Sequence, residues 1–312
     1  MKTMPKTLFR WLCFGVLLVG AVFRLLDEGQ LLTKVKAATE TEVLTREDYP
    51  ILDYRLPEIP SLQFSAEDGL LVEIEDGAGL EFDREKLLCK PLDLTVGDEP
   101  LVLIVHTHAT EAYTPDEGNY YTATAAYRTA DSSHNVLRVG QAMAEKLNAL
   151  GIVTLQDTTL HDTYGYDDAY ERTAQTIANY LAQYPSIRMV IDVHRDSVAD
   201  SAGAQLAFCS QVQGQQAAQL LLVMGSNAAG QEHPRWQENL SMALKLQALC
   251  EREAPGLFRP LSLRRQRYNQ HLTPYSVLLE VGTAGNTLSE ALYSAEFFAD
   301  RLARLLKEGS SG

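Results

Sequence analysis

Leu101-Val102-Leu103-Ile104-Val105 is an unbroken, largely β-branched apolar run, and His106-Thr107-His108-Ala109-Thr110-Glu111 follows it directly. An apolar run without alternation marks a strand buried on both faces, the usual state of a central strand in a parallel sheet. Strand and helix patterns alternate outward from it. Val136 to Leu150 carries apolar residues at helical spacing, and Gly151 closes it as a left-handed cap. Ile152 to Leu155 is expected as a strand, Tyr170 to Gln183 as a helix stopped before Pro185, and Arg188 to Val193 as a strand ending at His194. Leu206 to Cys209 and Leu220 to Met224 read as further strands. Asn239 to Arg252 reads as a helix, Ser276 to Val281 as a strand and Leu288 to Lys307 as the closing helix. The alternation predicts an α/β fold, with residues 97–309 as a single domain whose mostly parallel sheet is flanked by helices.

The 312-residue chain is 46% hydrophobic and 22% charged, with a net charge of −14. That balance suits a globular protein and excludes a low-complexity chain or a polytopic membrane protein. The acidity argues against nucleic-acid binding, which needs a basic footprint. Four Cys without a CxxC pair exclude a disulfide scaffold and a zinc-finger type of site.

Lys2, Lys6 and Arg10 precede an apolar stretch from Trp11 to Phe23, so residues 1–30 are expected as an uncleaved signal-anchor segment. A cleaved signal and a buried helix are the alternatives. The positive-inside rule then holds the chain on the cell membrane with the rest outside the cytoplasm. Disulfides are tolerated there, and Cys89, Cys209 and Cys250 are an odd set, so at least one stays free or pairs between chains. Residues 31–96 read as an acidic linker or stalk, extended from Thr39 to Pro60, with short strands between Leu70 and Leu94 around a turn at Gly77 to Gly79. Residues 27–99 hold 19 Asp and Glu against 7 Lys and Arg, which solvation of a linker explains.

In open α/β sheets ligands bind at the carboxyl ends of strands, so the residues after each apolar run are the candidates for chemistry. His108 and Glu111 follow the first run, His194 and Arg195 the third, and Glu280 lies in the last strand. Two His and a carboxylate with an open fourth position are a common ligand set for catalytic zinc. The H-x-x-E spacing lets one loop present His108 and Glu111 to the same side, and His194 supplies the third ligand. His134 is the alternative third ligand, or simply the residue that starts a helix. Glu280 suits a general base. A salt bridge from Arg195 to a buried Glu280 is the structural alternative, because an unpaired buried carboxylate is costly. His161 and His233 read as loop residues. His271 is a weak candidate for substrate contact.

VLIVHTHATEAY, IDVHRDS and LLEVGTAGNT, in this order, resemble the stage II sporulation protein P family over roughly residues 100 to 306. Tyr268-Asn269-Gln270 also matches its pattern. The resemblance implies a membrane-anchored, zinc-dependent peptidoglycan hydrolase of sporulation engulfment, similar to N-acetylmuramoyl-L-alanine amidases. His108 and His194 would then be zinc ligands and Glu280 the catalytic carboxylate. The wider amidase group carries its ligand Glu just before the first helix, where this chain has Ser132, Ser133 and His134, so Glu111 takes that place here. Arg195 would hold Glu280 or stabilise the oxyanion, and Tyr268, Asn269, Gln270 and Asn286 would face the substrate. The implied cleavage is at the amide between N-acetylmuramic acid and L-alanine, with stem-peptide cross-links as a further target. Implied partners are peptidoglycan and the stage II sporulation proteins D and M. Two competing readings are a tethered wall-binding or scaffold module without catalysis and a zinc carboxypeptidase-like peptidase.

Overall fold

A computed structural model of the chain describes residues 63–118, 121, 122, 124 and 127–309. The expected anchor at residues 1–30 and the stalk from Thr39 to Pro60 lie outside the described residues. Among these, no helix is long and apolar enough to cross a membrane. The described residues belong to one compact unit.

Among the described residues nine strands run in chain order as β1 Ile74–Asp76, β2 Val102–Val105, β3 Thr154–Gln156, β4 Met189–Asp196, β5 Cys209–Val212, β6 Gln215–Ala218, β7 Leu220–Met224, β8 Leu261–Leu263 and β9 Val277–Thr283. Five helices accompany them: α1 Arg84–Cys89, α2 Val136–Ala149, α3 Ala169–Gln183, α4 Trp236–Glu253 and α5 Leu288–Gly309. Seven strands form one sheet in the order β1-β8-β7-β9-β4-β2-β3, and β5 and β6 form a separate hairpin. Every pairing in the large sheet is parallel except β7 with β9. The sheet is therefore two parallel blocks of opposite direction joined at that one antiparallel seam.

Strand β2 shows why its sequence is apolar throughout. Successive side chains of a strand point to opposite faces. Val102 and Ile104 enter the large core together with Val139 and Met143 of α2 and Leu302 and Leu306 of α5. Leu103 and Val105 enter a second cluster with Ile177 of α3, Ile187 and Val190. Helices thus cover both faces, and the α/β reading of the sequence is met. Helix α2 starts where Asn135 accepts a hydrogen bond from the Leu137 amide at 2.9 Å. It ends where Gly151 takes φ 75°, a conformation that favours glycine.

Two boundaries differ from the sequence expectation. Residues 66–94 are part of the domain rather than a stalk beside it. A 3-10 turn spans Ala66–Leu71. Strand β1 is the sheet's edge, and Val72, Leu87, Leu88, Leu92 and Leu94 sit in the main core. The ammonium of Lys245 on α4 donates to Leu87 O at 2.9 Å and to Leu88 O, tying α1 to α4. Strong overall acidity hid a small apolar face that the sheet needs. The strand expected at Leu206 to Cys209 begins only at Cys209, because Leu206 O is taken by the hydroxyl of Thr283. Cys89, Cys209 and Cys250 are all free thiols.

Candidate active site

Three adjacent strands deliver the chemistry. In the β4–β9 ladder His194 pairs in register with Glu280, and a register irregularity follows between His194 and Asp196. Strand β2 lies on the other side of β4, with Val105 opposite Asp192. The chain after β2 folds into a turn in which the Glu111 amide donates to His108 O at 3.0 Å. That turn brings both residues of the H-x-x-E segment over β4. The result is a cavity of about 660 Å³ whose lining includes His108, Glu111, His194, Arg195, Tyr268 and Glu280.

His194 is held between two carboxylates. Its Nδ1 is 3.4 Å from Glu111 Oε2, and its Nε2 is 3.0 Å from Asp192 Oδ1. Asp192 is itself fixed by the Thr107 amide at 2.9 Å and the Thr107 hydroxyl at 2.6 Å. Glu111 is clasped further. Its Oε2 accepts from the Arg195 amide at 3.2 Å, and its Oε1 lies 3.3 Å from Arg128 Nη2. Burial opposes a charge on either residue. At Glu111 the neighbouring His194 overrides burial and holds the carboxyl low, and at His194 the Asp192 carboxylate overrides it and raises the ring, with Glu111 adding to the rise.

Glu280 behaves in the opposite way. Burial raises its carboxyl, His194 offsets only part of that, and the Glu111 charge adds to the rise. Its Oε2 is buried and has no hydrogen-bond partner. Two carboxyls in one cavity are therefore pushed apart, one ionised and one inclined to hold a proton. Such splitting is typical of an acid–base site. His108 is driven down to about 4 by burial, with the neighbouring His194 charge adding to the effect. Its Nδ1 is buried and unbonded, and its ring centroid is 5.3 Å from that of His194.

The donor set suits zinc. Two ligands of one tetrahedral zinc, each about 2.1 Å from the ion, stand about 3.4 Å apart. The Glu111 Oε2 to His194 Nδ1 distance is 3.4 Å, long for a good hydrogen bond and right for such a pair. Asp192 lies 3.0 Å from the other ring nitrogen of His194, the place where zinc-binding imidazoles usually carry an outer carboxylate, although Nε2 makes no hydrogen bond there. The unbonded His108 Nδ1 offers a third donor. Among the described residues no three such donors converge on a point as they stand.

The other expected site residues divide. Arg195 lines the cavity, but its described bonds serve the Glu111 segment rather than Glu280. Its Nε donates to Ala112 O at 2.9 Å and its Nη2 to Tyr127 O at 3.0 Å. His134 is not in the cavity lining; it stacks on Tyr121 and lies 3.7 Å from Asp131 Oδ2, just ahead of the α2 cap. Gln270 is buried and does not face the cavity. It accepts from the Gly225 amide and donates to Val223 O, both at 2.8 Å. Asn269 donates to Tyr170 O at 2.7 Å. These two hold a turn in which Tyr268 and Asn269 take φ of 46° and 59°, and that turn aims Tyr268 at the cavity. Asn286 is buried too. It accepts from the Thr283 amide at 2.9 Å and donates to Glu290 at 2.8 Å, shaping the start of α5. Gln270 and Asn286 thus act on backbone, not on the cavity.

The sequence reading missed Asp192, Arg128, Asp162, Tyr166 and Tyr170. Asp192 had a signal: it is two residues before His194 on a strand, hence on the same face. The other four come from loops or a helix start, where spacing carries no such information.

A mostly parallel α/β sheet thus gathers His108, Glu111, His194 and Glu280 in one cavity, from the turn after β2 and from the neighbouring strands β4 and β9. The chain belongs to the Stage II sporulation protein P family, whose model matches residues 58–303. It is 27% identical over 279 residues to the Stage II sporulation protein P of Bacillus subtilis strain 168, covering 85% of this chain and 65% of that protein. It therefore spans a little less than two thirds of that relative's length. Among solved structures it is similar to the N-acetylmuramyl-L-alanine amidase Ami1 of Mycobacterium abscessus, with 14% identity, a TM-score of 0.39, and 67% of this chain and 97% of that chain covered. It is also similar to the CwlD amidase of Clostridioides difficile solved with the GerS lipoprotein, with 13% identity, a TM-score of 0.38, and 67% and 95% covered.

Proposed function

We propose that this chain is a zinc-dependent peptidoglycan hydrolase of sporulation that cleaves the amide between N-acetylmuramic acid and L-alanine. Family membership supports the sporulation setting and the wall substrate. The observation that carries the chemistry is the trio of His108, Glu111 and His194 beside an unbonded, buried Glu280 oxygen.

His108, Glu111 and His194 would hold the ion. Zinc, when bound, polarises an amide carbonyl and lowers the pKa of its water to about 7. The Asp192 carboxylate, 3.0 Å from Nε2, holds the His194 ring by charge. Arg195 and Arg128 keep Glu111 ionised and in place. Glu280 would act in its ionised form, which a bound dication would favour against the rise imposed by burial, taking the proton of the attacking water at Oε2 and passing it to the leaving amine. Tyr170 and Tyr268 wall the cavity and limit water around the reacting amide. By the same reading the chain is anchored to the cell membrane through its first thirty residues and works outside the cytoplasm. Stage II sporulation proteins D and M are its proposed partners.

The test is a digest of purified sacculi with the full chain, read by mass spectrometry, with and without a chelator, beside His194→Ala and Glu280→Gln. Free stem peptides with intact glycan, lost with chelator and in both variants, are the expected result. Shortened stem peptides still attached to sugar would replace the amidase by a peptidase. Sacculus binding without any product, unaffected by zinc, would leave a wall-binding module.

A further inference from the structure

His108 and His194 are held in different ways. His194 has a carboxylate beside each ring nitrogen, at 3.4 Å and 3.0 Å. Among the described residues no hydrogen bond or salt bridge reaches the His108 ring, and its Nδ1 is buried and unbonded. Zinc-binding imidazoles usually take their orientation from an outer polar partner. His108 has aromatic rings instead. Tyr166 lies flat on it, with centroids 4.0 Å apart and planes at 1°. Tyr170 and His194 stand nearly perpendicular to it, at 5.6 Å and 5.3 Å with planes at 88° and 81°. Of the three, only Tyr166 meets the imidazole in parallel contact.

Tyr166 comes from the loop between β3 and α3, and that loop is fastened to Glu111 as well. The Arg128 guanidinium lies over the Tyr166 ring, 5.2 Å from its centroid. The same guanidinium stands 3.3 Å from Glu111 Oε1 and 2.8 Å from Asp162 Oδ2, and donates to the Thr110 hydroxyl at 3.0 Å. Asp162 also accepts from the Thr110 hydroxyl at 2.5 Å. Earlier in the loop, His161 is bonded at both ring nitrogens, to Thr159 O at 2.8 Å and to the Thr176 hydroxyl at 2.9 Å. Arg172 of α3 donates to His161 O at 2.7 Å and also reaches Gly165 O. The Ala169 amide donates to Tyr166 O at 3.2 Å. The Tyr166 side chain is 57% exposed, yet the backbone that carries it is tied on both sides.

We propose that Tyr166 is the positioning residue of His108: its ring sets the plane of the imidazole, the task that flanking carboxylates perform for His194. A parallel stack resists tilting of a ring more than sliding within its plane. It therefore fixes the direction of the His108 nitrogens and still lets them close on an ion. Arg128 then serves both ends of the H-x-x-E segment, Glu111 directly and His108 through Tyr166. The purpose of this device rests on the zinc reading; the holding of the ring does not, and the two are tested apart.

Two measurements are made on the full chain as wild type, Tyr166→Ala and Tyr166→Phe. The first needs no metal. It follows the imidazole proton resonances of His108 in the zinc-free chain, identified by their loss in His108→Ala. Protons over the face of an aromatic ring are moved upfield by its ring current. Wild type and Tyr166→Phe should show that displacement, and Tyr166→Ala should lose it. The second is zinc affinity, by competition with a chromophoric chelator. Tyr166→Ala should weaken it about 10-fold, the lower end of the loss caused by removing an outer partner, and Tyr166→Phe should keep it. In a His108→Ala background Tyr166→Ala should add no further loss, because the ring acts through that ligand. A general loosening of the fold would weaken both backgrounds alike. An imidazole displacement absent from the wild type or kept in Tyr166→Ala, equal or tighter zinc binding by Tyr166→Ala, or the same loss in both backgrounds would overturn the proposal. A wild type that shows the displaced imidazole and takes up no zinc would keep Tyr166 as the holder of His108 and remove the zinc reading.

Discussion

His194 sits between Glu111 and Asp192, with Nδ1 3.4 Å from one carboxylate and Nε2 3.0 Å from the other. The two contacts are unequal in kind. The Asp192 side is a close ion-pair contact in which Nε2 makes no aligned hydrogen bond, whereas the Glu111 side is a spacing that two ligands of one ion adopt. Asp192 then orients the ring and Glu111 shares its load. On this reading Asp192→Asn should weaken zinc binding by about 10- to 100-fold, the usual cost of losing an outer carboxylate. Competition with a chromophoric chelator measures it. An unchanged affinity would make Asp192 a purely structural partner of Thr107.

Arg195 is buried and spends its described bonds on Ala112 O, Tyr127 O and Glu111. Removing one partner of a buried charged network leaves the other unpaired, at a cost of about 3–5 kcal/mol. Arg195→Met should therefore lower the urea midpoint by a corresponding amount. If activity vanished while stability stayed at the wild-type value, Arg195 would be acting on the substrate.

Gly140 lies inside α2, where alanine normally stabilises a helix. Here the sign should reverse. A Cβ at this position would stand 2.5 Å from the His106 ring, with Gln156 Nε2 at 2.9 Å. His106 cannot easily move, because Nδ1 is 3.2 Å from Val193 O and Nε2 is 3.1 Å from Gln156. Gly140→Ala should cost about 1–3 kcal/mol, as overpacking does. A stabilised variant in urea titration would show that α2 can retreat from β2.

His233 is buried, and that burial pushes its ring down to about 4 from 6.5, with His271 adding to the effect. As pH falls below 6.5 the unfolded chain takes this proton first, so the folded state loses stability. The loss grows down to about pH 4 and amounts to about 3 kcal/mol for a shift of this size. Above pH 6.5 the ring is neutral in both states and the full contribution is present. His233→Asn should flatten the difference in urea stability between pH 7 and pH 4.5. Equal slopes for variant and wild type would place the acid sensitivity elsewhere.

Much of the fold was legible because burial on both faces leaves a plain mark. The run at Leu101 to Val105 has no polar interruption, and the helical stretches after Val136, Tyr170, Asn239 and Leu288 keep their period. Strand β8 was missed, since three residues after Pro260 give no periodicity to count. Strand β6 was missed because its first two residues, Gln215 and Gln216, are exposed and only the small Ala217 and Ala218 are buried, which leaves no apolar alternation to read. The antiparallel direction of β7 left no trace in sequence, for a buried strand reads alike in either direction. At the site, reading strand ends brought His108, Glu111, His194 and Glu280 to one cavity. It assigned Gln270 and Asn286 to the substrate, but both carry backbone turns. A conspicuous polar residue beside a strand serves backbone as readily as ligand, and only contacts separate the two.

The most direct measurement is the zinc content of the full chain, determined by mass spectrometry after dialysis against a weak chelator, beside His108→Ala and His194→Ala. The account predicts about one equivalent in the wild type and a large loss in both variants, since structural coupling of three protein ligands is required for tight binding. A metal-free wild type that still releases stem peptides from sacculi, or a wild-type equivalent retained in both variants, would contradict it.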